Sequence, residues 1–220
     1  MRFKPELLCP AGDFERLKTA IRYGADAVYL GADRFGMRSV SPNFSFDELA
    51  RATEYAHARG VSVHLTVNTL PRGGEIDELP SFLQSAAHCG VDALIIADLG
   101  VLALAHRLLP RMELHASTQT GIVNHLTANA LYEMGVRRVV LARELTMEEI
   151  RIIRQNTPSD LMLETFIHGA MCMSVSGRCV ISDYLTGRDA NRGECSQPCR
   201  WNYHLMEEKH PGIFLPVFED

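Results

Sequence analysis

The chain has 220 residues, of which 46% are hydrophobic and 22% charged, and its net charge is −5. That composition suits one sizeable folded domain and excludes a disordered polymer. No apolar run reaches the ~18 residues of a membrane span, so a cytoplasmic protein without a membrane partner is expected. Met1-Arg2-Phe3-Lys4-Pro5 leads straight into a strand, which argues against a secretory signal. Six cysteines in such a chain read as metal ligands or redox thiols rather than structural disulfides. The acidic balance does not advertise nucleic-acid binding. Yet Lys4, Lys18 and Lys209 are the only lysines among many arginines, whose planar fork suits carboxylates and phosphates.

Along the chain one phrase repeats: a short apolar run, a polar turn, an amphipathic helix, often a glycine, then another apolar run. The apolar runs are Glu6–Cys9, Ala27–Leu30, Val61–Val67, Ala93–Ala97, Glu113–Ala116, Arg138–Leu141 and Met162–Ile167. Helices are predicted over Phe14–Tyr23, Phe46–Arg59, Leu79–Cys89, Gly100–Leu109, Asn124–Met134 and Thr146–Asn156. Asp13 and Ser45 are placed to cap the first two, and Glu48 completes a capping-box spacing after Ser45. Gly24, Gly60, Gly90 and Gly135 stand where helices end in a left-handed residue.

Seven near-continuous apolar strands alternating with helices predict an α/β fold whose parallel sheet is covered on its outer side. The regular repeat, roughly 25–30 residues, favours a parallel (β/α) TIM-type barrel over a doubly wound sheet. No glycine-rich dinucleotide loop follows the first strand. Seven of the eight strands of such a barrel are present. An open seventh strand would leave an unpaired edge, so a partner chain or a missing C-terminal region is expected to complete the barrel. The expected organisation is barrel units over 1–168, a cysteine-rich segment over 169–203 and the start of a continuation over 204–220.

Barrels of this type carry their chemistry at the C-terminal ends of the strands. Those ends here hold Gly12 and Asp13, Gly31, Asn68, Asp98, Thr118 and Gln119, Arg143 and Glu144, then Glu164 and His168. Asp13 and Asp98 read as helix caps. Arg143-Glu144 and the run from Glu164 to His168 set charges against buried strands, where an unpaired charge is costly without a role. The long connection from Asp33 to Phe44, which includes Arg38 and Asn43, has the make-up of a lid or an anion-binding loop.

After the seventh strand the periodicity stops and a cysteine pattern begins. Cys172, Cys179, Cys195 and Cys199 follow a C-x6-C-x15-C-x3-C spacing in a loop-rich stretch. Four thiolates that close in sequence can converge on a metal. The uneven spacing and the surrounding glycines favour an iron–sulfur cluster. A zinc site is the alternative, although its usual C-x2-C knuckles are absent, and two disulfides are a third reading. Arg178, Arg188, Arg192 and Arg200 would balance a thiolate-rich cluster. Cys9 and Cys89 read as small buried hydrophobes.

The run Glu164-Thr165-Phe166-Ile167-His168-Gly169-Ala170-Met171-Cys172, followed by Ser174-Val175-Ser176-Gly177-Arg178-Cys179, closely resembles the hallmark of peptidase family U-thirty-two. Glu6-Leu7-Leu8-Cys9-Pro10-Ala11-Gly12, Ala25-Asp26-Ala27-Val28-Tyr29-Leu30-Gly31 and Arg143-Glu144-Leu145 resemble other parts of it. Gly187-Arg188-Asp189-Ala190-Asn191 and Cys195-Ser196-Gln197-Pro198-Cys199-Arg200-Trp201 are most similar to the branch that hydroxylates the wobble uridine of tRNA without molecular oxygen, with prephenate implicated as the hydroxyl source. A sister branch acts on ribosomal RNA, and another hydroxylates quinone precursors with a four-iron cluster.

The resemblance implies a cluster, of the 4Fe-4S kind, on Cys172, Cys179 and Cys195, with Cys199 the fourth ligand within reach. It also makes tRNA the expected partner. On that reading Arg38 and Arg143 hold the acidic co-substrate by bidentate pairing. Asn43, Asn68 and Gln119 bind substrate at the same rim. Glu144, Glu164 and His168 serve proton transfer. The family's historical name implies a collagenase-like endopeptidase instead. For that, Cys172, Ser174 and Ser176 near His168 are the nearest approach to a nucleophile set, with no G-x-S-x-G elbow or H-E-x-x-H motif. A third reading is a noncatalytic barrel subunit completed by a partner.

Overall fold

The computed structural model describes residues 4–37, 43–169, 171–175 and 178–216. Seven parallel strands form one sheet in sequence order: β1 (Leu8–Pro10), β2 (Ala27–Gly31), β3 (Ser62–Val67), β4 (Ala93–Ile96), β5 (Glu113–Ala116), β6 (Arg138–Val140) and β7 (Met162–Glu164). Between them run α1 (Phe14–Arg22), α2 (Phe46–His57), α3 (Glu75–His88), α4 (Leu99–Leu108), α5 (His125–Glu133) and α6 (Met147–Gln155). The sheet curls far enough for Arg138 of β6 to bond Glu6, which lies just ahead of β1. The chain is thus an α/β protein with seven strands of a TIM-type barrel. Among the described residues β1 and β7 are its edges.

Local chemistry explains where the elements start and stop. Asp13, Asp98 and Asn124 accept backbone N–H bonds at the starts of α1, α4 and α5. Ser45 with Glu48 and Thr146 with Glu149 form full capping boxes on α2 and α6. Gly135 ends the turn after α5 at φ +98, and a Cβ there would lie 2.6 Å from the His106 ring, so only glycine fits. Helix α3 starts at Glu75, four residues before the expected Leu79. Its first turn carries Glu75, Asp77 and Glu78, which favour a helix N-terminus although they break the apolar periodicity. Strand β7 stops at Glu164 rather than at Ile167. Its neighbour β6 ends at Val140, and the bond from Leu141 N to Glu164 O closes the ladder between them.

The two faces of the sheet differ. Val28, Leu30, Val63, Leu65, Val67, Leu94, Ile96, Leu114, Ala116 and Val139 face outward and pack with Leu17, Leu49, Leu83, Leu102, Leu131 and Ile153 of the helices. That outward layer is the main apolar core. The alternate residues face the barrel interior, and many are polar: Ser62, His64 and Thr66 on β3, Glu113 and His115 on β5, Arg138 on β6, Glu164 on β7. The strands were expected to be near-continuously apolar. β4 is apolar on both faces, whereas β3 and β5 follow a period-two alternation, because their inward residues are polar.

After β7 the described residues include a short helix α7 (Ile181–Thr186) and the 3-10 turns Ala190–Arg192 and Pro198–Arg200. It ends in an exposed antiparallel hairpin of β8 (His204–Met206) and β9 (Phe214–Pro216). No helix among the described residues is long and apolar enough to cross a membrane.

Candidate functional site at the barrel rim

The cysteine-rich segment lies across the C-terminal rim of the barrel, and arginines hold it there. Arg192 forks onto Glu75, with Nη1 to Oε2 at 2.9 Å and Nη2 to Oε1 at 2.5 Å, and Nη1 also donates to the Leu70 carbonyl at 3.0 Å. The Arg192 guanidinium drops the Glu75 carboxyl to about 2. Arg72 donates to Asp189 at 2.8 Å, and Arg178 Nε to the Gln119 carbonyl at 3.1 Å. Gly193, at φ +88, lies so close to Met37 that a Cβ would sit 2.5 Å from its carbonyl oxygen. The segment therefore touches the loops after β2, β3 and β5. Arg178 and Arg200 donate to carbonyls, and Arg192 to a carbonyl and to Glu75.

Within the segment, polar bonds tie the cysteine turns to one another. Asn191 accepts from Cys179 N at 3.2 Å and donates to its carbonyl at 2.9 Å. The buried Ser182 hydroxyl accepts from Ser196 N at 3.0 Å and donates to the Arg188 carbonyl at 2.7 Å, fixing the loop next to Cys195. Arg200 donates to the Met171 carbonyl at 2.6 Å, joining the neighbours of Cys199 and Cys172. Two sulfurs accept backbone N–H groups from two residues ahead: Ser174 N to Cys172 Sγ at 3.4 Å and Gln197 N to Cys195 Sγ at 3.3 Å. Backbone N–H bonds to sulfur are a recurring feature of thiolate-ligated iron–sulfur sites.

All four cysteines are unpaired; Cys172 and Cys179 are half-buried, Cys195 and Cys199 exposed. The donor chemistry fits a thiolate-ligated metal group. Among the described residues, however, no three His, Cys, Asp or Glu side chains stand close enough together to hold a metal ion.

The other candidates fall into three places. Arg143 and His168 line a cleft of about 230 Å³ between the β6–α6 turn and the residues after β7, together with Leu145, Ile150, Thr165 and Phe166. The Arg143 guanidinium lies 5.2 Å from the centre of the exposed Phe166 ring, and Glu144 is the next residue along that turn. Asn43, Asn68 and Gln119 hold loops. Asn43 sits against Gly31 at the end of β2, Asn68 accepts from Met37 N at 3.1 Å, and Gln119 accepts from Ser117 Oγ at 2.8 Å. Glu164 faces the barrel interior, where Arg138 Nη1 is 3.4 Å away. Arg38 lies outside the described residues, as does much of the proposed lid.

Sequence reading passed over the interior group of Glu6, His64, Glu113, His115 and Arg138. Its signal was the period-two placing of charges in Ser62-Val63-His64, Glu113-Leu114-His115 and Arg138-Val139.

The chain is 42% identical over 204 residues to "tRNA hydroxylation protein P1" of Bacillus subtilis, covering 93% of this chain and 48% of that protein. It is 44% identical over 217 residues to "Uncharacterized protease MJ0090" of Methanocaldococcus jannaschii, covering 97% of this chain and 53% of that protein. The chain thus spans about half the length of these curated relatives. Among solved structures, that of "the U32 Peptidase Mk0906" superposes with a TM-score of 0.62 at 18% identity, over 75% of this chain and 71% of that one. A family model described as "Peptidase family U32" matches residues 12–220, and the chain belongs to that family.

Proposed function

We propose that this chain is the barrel part of an iron–sulfur-dependent RNA-modifying enzyme, and that its reaction is prephenate-dependent 5-hydroxylation of the tRNA wobble uridine without molecular oxygen. The observation that carries the reading is the cysteine segment pinned over the rim, where barrel enzymes hold their chemistry. The relative named for tRNA hydroxylation supports it. Cys172, Cys179, Cys195 and Cys199 would hold the cluster, which when bound supplies redox chemistry to the rim.

The chain's own side chains have simpler tasks. Arg143, beside the exposed Phe166 ring, is placed to fork onto a carboxylate of an acidic co-substrate. His168, in the same cleft, and Glu144, on the same turn as Arg143, are within the region where a proton must be moved. A base presented from an anticodon loop is already unstacked, so the flip into such a cleft is cheap.

The peptidase reading has the family name and the second relative behind it. The geometry favours it less. Ser174 donates its hydroxyl to the Arg178 carbonyl, and among the described residues neither Ser174 nor Cys172 bonds to His168.

The test is nucleoside mass spectrometry of RNA from cells lacking the gene, complemented by the wild-type gene or by Cys172→Ala. The expected result is loss of hydroxyuridine derivatives from tRNA, restored by the wild type alone. Unchanged tRNA in cells without a paralogue would overturn the assignment, and loss of hydroxycytidine from ribosomal RNA would move it to that substrate.

A further inference from the structure

The barrel interior holds a set of charges that the rim chemistry leaves unused. Arg138, buried at the start of β6, forks onto Glu6, with Nη1 to Oε1 at 2.5 Å and Nη2 to Oε2 at 3.2 Å. Nη1 also lies 3.4 Å from Glu164 Oε2. The guanidinium is therefore committed to Glu6, and Glu164 receives a single long contact from it.

Among the described residues, the remaining neighbours add no positive charge. The His64 and His115 rings meet edge to face with centroids 4.7 Å apart, and His115 Nε2 bonds Glu113 Oε1 at 2.7 Å. Burial pushes His64 down to about 4 and lowers His115 as well, so both are neutral near pH 7. Among the described residues, His64 Nδ1, His115 Nδ1 and Arg138 Nε have no partner. Among the described residues, three carboxylates, from Glu6, Glu113 and Glu164, thus share one guanidinium. Glu164 is the least compensated of them, and burial raises its carboxyl above the ordinary value against the pull of Arg138. Its side chain is 19% exposed, so a proton can reach it, and the next residue, Thr165, lines the rim cleft.

We propose that Glu164 is a proton-exchanging site of the barrel interior, and that Arg138, clamped by Glu6, is the positioning residue that sets its proton affinity. Glu164 takes one proton from solvent as the neutral acid and gives it up as the carboxylate, supplying the neighbouring cleft. The link to the cleft rests on the functional reading above; the titration itself does not.

Carboxyl titration by carbon-13 NMR of the chain labelled at glutamate Cδ tests the site. The resonance lost in Glu164→Gln should titrate above those of the surface glutamates. In Glu6→Gln the guanidinium turns to Glu164, and the midpoint should fall by about one pH unit. Glu6→Asp, which only loosens the clamp, should shift it the same way by less, and serves if Glu6→Gln does not fold. A midpoint within the surface range, or one unmoved in the folded Glu6 variant, overturns the site whatever the RNA analysis shows.

Glu164→Gln should also lower hydroxylation about 100-fold. Full activity in that variant overturns the supply role. Normal hydroxyuridine after deletion of the gene removes the functional reading, and the titration still decides the site.

Discussion

The barrel and the cysteine segment that crosses its rim are built on different principles. From β2 to β5 nearly every outward strand residue is buried against a helix, and caps and glycines set each boundary. That order is distributed over many small apolar contacts, so it is robust and repetitive. Among the described residues, the segment from 171 to 203 buries little beyond Ser182, Ala190 and Pro198. A few arginine forks, a serine pair and one asparagine hold it. Hydrophobic burial decides the first region and specific polar bonds the second.

The comparison can be broken most strongly in the barrel. Leu94 is fully buried in the outward layer, and Leu94→Ala should destabilise the chain by about 3 kcal/mol in urea unfolding. An effect below about 1 kcal/mol would deny that this layer is the main core.

Acid should act next, through the interior. The folded pKa of His64 is about 4 against an ordinary 6.5, so between those values the unfolded chain binds a proton the folded chain does not. Stability is therefore intact above pH 6.5 and falls as pH drops toward about 4, by up to about 3 kcal/mol from this residue. His115 has the same sign, and Glu164, with its raised carboxyl, the opposite one. His64→Asn should flatten the acid-unfolding curve in that window; an identical curve would remove His64 from the account.

Smaller effects separate the segment from the barrel. Arg192→Ala should speed proteolysis within the segment roughly tenfold while leaving the barrel's unfolding midpoint in place. A drop in that midpoint would mean that the two regions are one cooperative unit. Thr146→Ala, which removes one capping box of α6, should lower stability by about 1 kcal/mol.

The same contrast explains what could be read from the sequence. Six helices and seven strands were legible because apolar periodicity, caps such as Ser45 with Glu48, and end glycines such as Gly135 are local signals. The start of α3 was not, since its acidic first turn carries no apolar stripe. The C-x6-C-x15-C-x3-C spacing of Cys172, Cys179, Cys195 and Cys199 is likewise a local signal. The partners of Arg178 and Arg192 were not legible, because they lie 59 and 117 residues away in sequence and only the fold brings them near. Glu6 and Arg138, 132 residues apart, were hidden for the same reason. Read singly, Glu164 resembles a rim residue; only the strand's inward phase shows that it belongs to the interior.

The most direct measurement is iron and sulfide content, with an absorption spectrum, of the anaerobically purified chain beside Cys172→Ala and Cys195→Ala. The account predicts near-stoichiometric iron and sulfide, lost in both variants while the barrel stays folded. Zinc in their place, or well-folded protein without metal, would contradict it.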